Sequence, residues 1–555
     1  MRFTILTIIL FSFFSSGKVL AQPASIGGII NSYTPIISLL PCENKIIVED
    51  ANSFNVGDTV LMIQMKGAVI DSTNTASFGT ITNYNNAGNY EINYVKSKAG
   101  NIIELKNKLS RLYNIPDGKV QLVRIPYYQN AIVTSLLTCL PWDGNKGGIL
   151  VLNVQNAITL NADIDVGNKG FKGGISPIST QSTYNCYENQ YFYPPNPTLS
   201  SEKGEGIALI SSDKSFGKGP LANGGGSGNS HNSGAAGGGN FGNGGHGGYN
   251  YEGPPCNTIV PFDNGGIGGK GLTYNNATNK IFFGGGGGAG QTNSGIFQGN
   301  GGNGAGIIII IANSLQTNNN KISATGGDGA VCGNTGPNCH EGMGGGGAGG
   351  TVMLNIINYL DNTTVEANGG KGGDMTAVNP SKIGPGGGGG GGIIWLTNTS
   401  LPANVSGITA AGQNGVCTDH SNNSWGATAG QPGINLFSLQ IPIDNILFKP
   451  NIDSVRINSN LVGCNSINVN GLAYTNTVGI NSWNWFFGDG GTASTQNASH
   501  TYGSSGTYSV KLIVTDINGC RDSITVNINV ICNGASISSI INTYTPVLAF
   551  NPCEN

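Results

Sequence analysis

Apolar residues in this chain fall into short runs that follow glycines. Gly147-Gly148 leads into Ile149-Leu150-Val151-Leu152, and Gly306 leads into five isoleucines, Ile307 to Ile311. Gly350 leads into Thr351-Val352-Met353-Leu354, and Gly392 into Ile393-Ile394-Trp395-Leu396. After a polar turn, each is followed by a second short run that closes on glycine: Ile164 to Gly167, Ile322 to Gly326, Val365 to Gly369 and Ile408 to Gly412. The leading glycine and the second run are about 16 residues apart, and the last three copies recur at about 43, a repeat-architecture period. Strand-length apolar runs at that period predict a flattened β-solenoid or stacked β-layers, each copy burying its run against a neighbour.

The same reading along the chain predicts an all-β, multidomain protein. Residues 22–141 form a small β module. Within it, Thr59 to Met65 reads as a strand with Val60 and Met62 on one face and Leu61 and Ile63 on the other. Further strands are expected at Asn89 to Tyr94, Ile102 to Leu105 and Lys119 to Ile125, in a small sandwich or barrel without helices. Residues 142–437 are the glycine-rich repetitive region. Its long segments Gly224 to Gly248 and Gly284 to Gly304 are expected either to lie outside the layers or to pack as extended glycine rods of the polyproline-II kind. A flexible spacer is the alternative for this region. A connector at 438–452 leads to a third body at 453–531, where Tyr508, Val510, Leu512 and Val514 share one strand face and Ile524, Val526, Ile528 and Val530 another.

That third body carries a recognisable motif. Trp483, Trp485 and Phe487 precede the turn Gly488-Asp489-Gly490, followed by His500, Tyr502, Gly506 and Tyr508. The pattern resembles the PKD (polycystic kidney disease) domain, an immunoglobulin-like β-sandwich. The resemblance implies a spacer or binding module with the aromatic residues as buried anchors. Asp489 and His500 are its candidates for a calcium ligand or a catalytic pair, against the reading that Asp489 holds its own turn and His500 caps a loop.

Composition narrows the function. Of 555 residues only 10% are charged and the net charge is -3, so the chain lacks the basic footprint of a nucleic-acid or anionic-membrane binder. Its 91 glycines are about twice the average share, yet the apolar residues are gathered in runs that disordered chains lack. Residues 1–21 read as a signal peptide, with Arg2, an apolar stretch from Ile5 to Phe14, and Val19-Leu20-Ala21 before the cleavage site. Export makes the eleven cysteines disulfide candidates. Nearest partners within modules are Cys42 with Cys139, Cys186 with Cys256, Cys332 with Cys339, and Cys464 with Cys520.

The end of the chain returns to its beginning. The stretch from Ala24 to Asn44 recurs from Ala535 to Asn555, each with Tyr-Thr-Pro at the same distance before Pro-Cys-Glu-Asn. Residues 532–555 are therefore expected to start a second copy of the first module, within a longer protein. The whole arrangement resembles the modular surface proteins of gliding, film-forming bacteria, which pair glycine-rich β regions with PKD repeats. No gliding-motility-associated C-terminal domain is found in this sequence. The resemblance implies attachment to surfaces or polysaccharide.

Enzyme motifs are poor: there is no His-Glu-x-x-His, nucleophile elbow or phosphate loop. Asp374, in Gly369-Gly370-Lys371-Gly372-Gly373-Asp374, resembles one turn of a calcium-binding nonapeptide repeat but occurs once. Asp163, Asp165 and Asp328 are candidate groove carboxylates for glycoside hydrolysis, against a reading as turn residues. The expectation is a non-catalytic secreted surface or matrix protein without cofactor, binding polysaccharide or cell-surface components through many weak contacts. The alternative is a polysaccharide-active enzyme with the PKD-like domain as a spacer.

Overall fold

The computed structural model describes residues 22–531 except 178–185, 187, 197, 230, 254–255, 257–263, 294–297, 332–340, 377–380, 443–453, 463–464, 475–478 and 518. The expected leader, most of the expected connector and the repeated segment at 532–555 lie outside these residues. The chain divides into two compact units, residues 1–447 and 448–555. Among the described residues there are strands and short 3-10 turns but no α-helix, so the all-β expectation holds.

In the first unit each sequence repeat lays one rung in each of two parallel ladders. Strands Ile149–Leu160, Ile307–Gln316, Thr351–Tyr359, Ile393–Leu396 and Ile434–Leu436 form one ladder. The short strands Ile164–Asp165, Lys321–Ser323, Thr363–Glu366 and Val405–Ile408 form the other. Strand Ala131–Thr138 pairs with the first member of both, joining them into one 12-stranded sheet. Repeat positions are in register: Ile149 lies opposite Ile307, Ile307 opposite Thr351, and Thr351 opposite Ile393.

The continuous isoleucine run follows from burial on both faces. Leu150, Ile308, Ile310, Val352 and Leu354 point between the ladders, against Ile164, Ile322 and Val365. Ile149, Val151, Ile307, Ile309, Met353 and Trp395 point the other way, into a core shared with Phe171, Phe282 and Phe283.

Beyond that second core the glycines form a bundle of extended rods, the packed alternative for the long glycine segments. The central rod, 284–290, makes the geometry explicit. Gly284, Gly287 and Gly290 donate their N–H groups to Ala305, Gly302 and Gly299. Gly285 and Gly288 donate to Gly239 and Ala236, while Gly286 and Ala289 donate to Glu205 and Glu202. Three more rods donate back: Ala348 and Gly345 to Gly285 and Gly288, Gly225 and Gly228 to Gly286 and Ala289, Phe171 and Gly174 to Gly284 and Gly287. A three-residue turn aims every third peptide at the same neighbour, so the rod has six neighbours and no internal hydrogen bonds. Glycine is required where a Cβ would meet the next rod: on Gly286 it would stand 1.9 Å from the Lys172 carbonyl oxygen, whereas position 289 of the same rod accommodates alanine.

Residues 22–141, expected as a separate module, are built into the same unit. Strands Tyr33–Leu40, Lys45–Val48, Thr59–Gln64, Tyr90–Ala99, Ile102–Leu105 and Val120–Ile125 close a six-stranded barrel. As the alternation predicts, Val60 and Met62 fill the barrel interior, while Leu61 and Ile63 face outward and join the core with Phe282 and Phe283. Strand Ala24–Ile29 runs parallel to Ala131–Thr138 in the large sheet. The Asn31 side chain then pairs with both backbone groups of Val151, at 2.7 and 3.2 Å, closing the edge of the first ladder.

One cysteine pairing is overturned. Cys139 is a free, buried thiol in the core between the ladders, whereas Cys42, in an exposed turn beside the barrel, is disulfide-bonded to another residue. Chain proximity misled because Cys139 ends a strand that points inward. Cys186 and Cys256 form the expected disulfide. Cys520 is disulfide-bonded, but its expected partner Cys464 lies outside the described residues, as do Cys332 and Cys339.

The second unit is a sandwich. Strands Ser454–Val462, Ser466–Tyr474 and Asn497–Thr501 make one antiparallel sheet. Thr492–Ala493, Ile480–Phe486, Gly506–Asp516 and Arg521–Val530 make the other, in that spatial order. Trp485, Phe487, Tyr502, Val510, Leu512 and Val514 are buried between them, with Trp483 and Tyr508 packed against this core.

Candidate functional surfaces

The acidic residues singled out in the glycine-rich region hold the rods and rungs together. A rod on the outside of the bundle lacks a neighbour for one peptide in three, and a side chain from the next rod takes that neighbour's place. Asp328 accepts from Lys371 N at 2.7 Å, and Asp374 accepts from Val416 N at 2.9 Å. Asn368 does the same for Ala410 N at 2.8 Å. Asp163 accepts from Lys321 N and Asp165 from Gly167 N, each at 2.8 Å. Asp163, Asp328 and Asp374 therefore have structural employment one rung or rod away from their own, and Asp165 holds its own turn. Asp374 is also paired with Lys371. Among the described residues no group of three or more His, Cys, Asp or Glu is gathered closely enough to hold a metal ion.

Two glutamates that sequence reading passed over do the same work deeper in. Glu202 accepts from Ile175 N at 2.9 Å, and Glu205 accepts from Lys172 N at 3.0 Å. Glu205 is further held by Lys66 at 2.6 Å and by Trp142 Nε1 at 3.1 Å. Burial alone pushes its carboxyl up, but Lys66 and these hydrogen bonds outweigh that and hold it below the ordinary carboxylate range. Nothing local in the sequence marks Glu205, because Lys66 and Trp142 come from distant elements.

In the sandwich, the motif residues form one continuous column. Trp485 stacks with Phe487 at 6.2 Å, Phe487 with His500 at 4.2 Å, and Tyr502 with Tyr508 at 4.0 Å, while His500 meets Tyr502 edge-on at 4.6 Å. Tyr502 donates its hydroxyl proton to the Phe487 carbonyl at 3.2 Å. Asp489 holds its own turn by accepting from Gly491 N at 2.9 Å, and the structure also joins it to His500 Nε2 at 2.7 Å. Desolvation raises the Asp489 carboxyl, yet the bonds from His500 and Gly491 win and leave it below the usual carboxylate range. Gly488 and Gly490 both have positive φ, +86° and +96°, which the turn requires.

Strand alternation that buries Trp485 turns Phe486 outward, where it is 45% exposed. Register places Thr492, Phe486, Lys511 and Thr525 in one row across the four strands, and Asn484, Ile513 and Ser523 in the next. Ser509 and Thr507 donate to Asn527 and Asn529 across the strand pair at 2.7 and 2.6 Å. The outcome is a polar sheet face of hydroxyls and amides with one aromatic ring and few charges.

Comparison with known proteins bears on this unit alone. The family described as PKD domain matches residues 448–531. Among solved structures, the PKD1 domain of Vibrio cholerae metalloprotease PrtV is 29% identical, covering 14% of this chain and 95% of its own, with a TM-score of 0.14. The PKD1 domain of Vibrio anguillarum Epp is 24% identical, covering 15% of this chain and 100% of its own, with a TM-score of 0.14. No curated protein matches the chain. Among the described residues no helix is long and apolar enough to cross a membrane.

Proposed function

With a PKD domain at residues 448–531 as premise, we propose that this is a non-catalytic exported surface or matrix protein that attaches to polysaccharide through many weak contacts. The observation that carries the reading is the outward face around Phe486. A flat ring beside rows of hydroxyl and amide groups suits a sugar chain, whose C–H faces pack on aromatics and whose hydroxyls exchange hydrogen bonds with Asn, Ser and Thr. Each contact is weak, and repetition of such faces along a surface raises the total by multivalency. The rod bundle and ladders supply a rigid body in which backbone groups are paired internally, a suitable scaffold for exposure outside the cell.

The test uses the purified chain with insoluble cellulose, chitin and cell-envelope glycan, following bound protein and released sugar in the same tubes. Binding without release, reduced by Phe486→Ala, is the expected result. Release of sugar, or binding indifferent to Phe486→Ala, overturns the assignment.

A further inference from the structure

A second surface lies in the first unit, where the barrel meets the glycine-rich body. A groove of about 430 Å³ runs along Gly67 to Ile70 and Leu209 to Ser211, a size within the range of small-ligand sites. Its polar side chains come from separate stretches of chain that only the fold brings together. Asn114 belongs to the loop after the barrel strand Ile102–Leu105, Asn85 to the turn before Tyr90–Ala99, and Lys214 to the glycine-rich body.

These groups are held in place yet keep unspent hydrogen-bonding capacity. Asn114 Oδ1 accepts from Asn86 at 2.9 Å and from Gln64 at 3.3 Å, which leaves its amide N–H groups for the groove. Asn85 donates to the Gly67 carbonyl at 3.0 Å, leaving its oxygen. Lys214 Nζ is anchored by Ser72 O at 3.1 Å and lies 4.8 Å from the Phe192 ring centroid, with no carboxylate partner among the described residues. Asp117, on the same groove, is exposed and makes no side-chain hydrogen bond there. Exposed Val69 and Leu209 add apolar rims.

The floor argues against a peptide strand as the occupant. Gly67 and Ala68 both donate to Ile207 O, and Leu209 N donates to Ala68 O, so these three peptide N–H groups are already taken and do not serve strand addition. Recognition must come from side chains: amides, a carboxylate, an ammonium without a counter-ion, and aliphatic rims. We infer that this groove binds a short acidic saccharide, a uronic-acid oligosaccharide, with Lys214 on the sugar carboxylate and Asn85, Asn114 and Asp117 on the hydroxyls. The inference takes its ligand class from the polysaccharide reading but uses a different body of the protein.

Calorimetric titration of the full chain with an oligogalacturonate, a neutral cello-oligosaccharide of equal length and an acidic tripeptide tests it. The oligogalacturonate is expected to bind most tightly. Lys214→Met should weaken it by about tenfold, as loss of a charged hydrogen bond does, whereas Lys214→Arg should keep most of the affinity and shows that the site still folds. Equal affinity for the neutral sugar, binding of the peptide alone, no binding at all, or indifference to Lys214→Met would each overturn the assignment. Phe486→Ala leaves this titration unchanged while reducing attachment to insoluble polysaccharide, so failure of the one reading is separable from failure of the other.

Discussion

Gly345 donates its N–H to Gly288 O at 3.0 Å, and a Cβ on Gly345 would stand 1.9 Å from the Ala236 carbonyl oxygen. The two facts are one: the rod spacing that lets Gly345 exchange peptide hydrogen bonds leaves no room for a Cβ at that position. Gly345→Ala is therefore expected to destabilise the first unit by about 3 kcal/mol, the upper range for overpacking. Gly100→Ala, where φ is +58° and nothing lies within 4 Å, should cost only about 1 kcal/mol of left-handed backbone strain. Calorimetric melting of the two variants checks the difference. Equal losses would mean the rods are not packed.

Lys203 is buried, with its Nζ 3.9 Å from the Phe78 ring centroid and 2.9 Å from Tyr191 O. Desolvation first, and Lys214 second, push its ammonium well below the ordinary lysine range. The unfolded chain then holds a proton that the folded one releases, so this residue's contribution makes stability rise with pH up to about 10.4, the unfolded lysine value. Lys203→Met removes that slope and is expected to raise the melting temperature near neutral pH by about 2–4 °C. Tyr191 O stays paired in the variant because Gly219 N also donates to it, at 2.9 Å. Melting curves across pH, wild type against variant, make the comparison.

Asp489 titrates below the usual carboxylate range when folded. Its stabilisation of the sandwich is present above the unfolded carboxylate pKa and is lost as pH falls through the folded value. Asp489→Asn should cost about 1 kcal/mol at neutral pH, the scale of a partly exposed charged contact, and little in strong acid. Denaturant titration at both pH values, followed by tryptophan fluorescence, reads the difference.

Cys139 and Cys417 are buried thiols, pushed up to about 12 and about 11 by burial. Both are expected to resist alkylation in the folded chain and to react on unfolding without reductant. Cys42, Cys186 and Cys256 should stay unlabelled until reduced. Peptide mapping of labelled sites would reverse the Cys139 assignment if it linked that residue to Cys42.

Barrel and sandwich were legible for the same reason: their strands carry side-chain alternation, whereas the ladders were legible from apolar runs recurring at a fixed period. Val60 and Met62 against Leu61 and Ile63, or Val510 and Leu512 against Ser509 and Lys511, announce two faces whatever lies across from them. The candidate carboxylates were harder. Asp374 looks like part of a calcium turn from its neighbours, and only the rod 42 residues further on shows that it caps Val416 N.

By itself, then, the sequence determined the strands, their repeat and the PKD motif, because periodicity and residue size are local properties, while it left the long glycine segments open between packed rods, outer loops and a flexible spacer. Which rod lies beside which was decided by the tertiary structure. Polyglycine has no side chains to encode a partner, and Gly285 finds Gly239 and Ala348 only through the ladders and cores that hold all three. The same holds for Cys139 as a free thiol and for Lys214 on the same groove as Asn114. Each depends on residues far away in the chain, and the energy that places them comes from burial elsewhere.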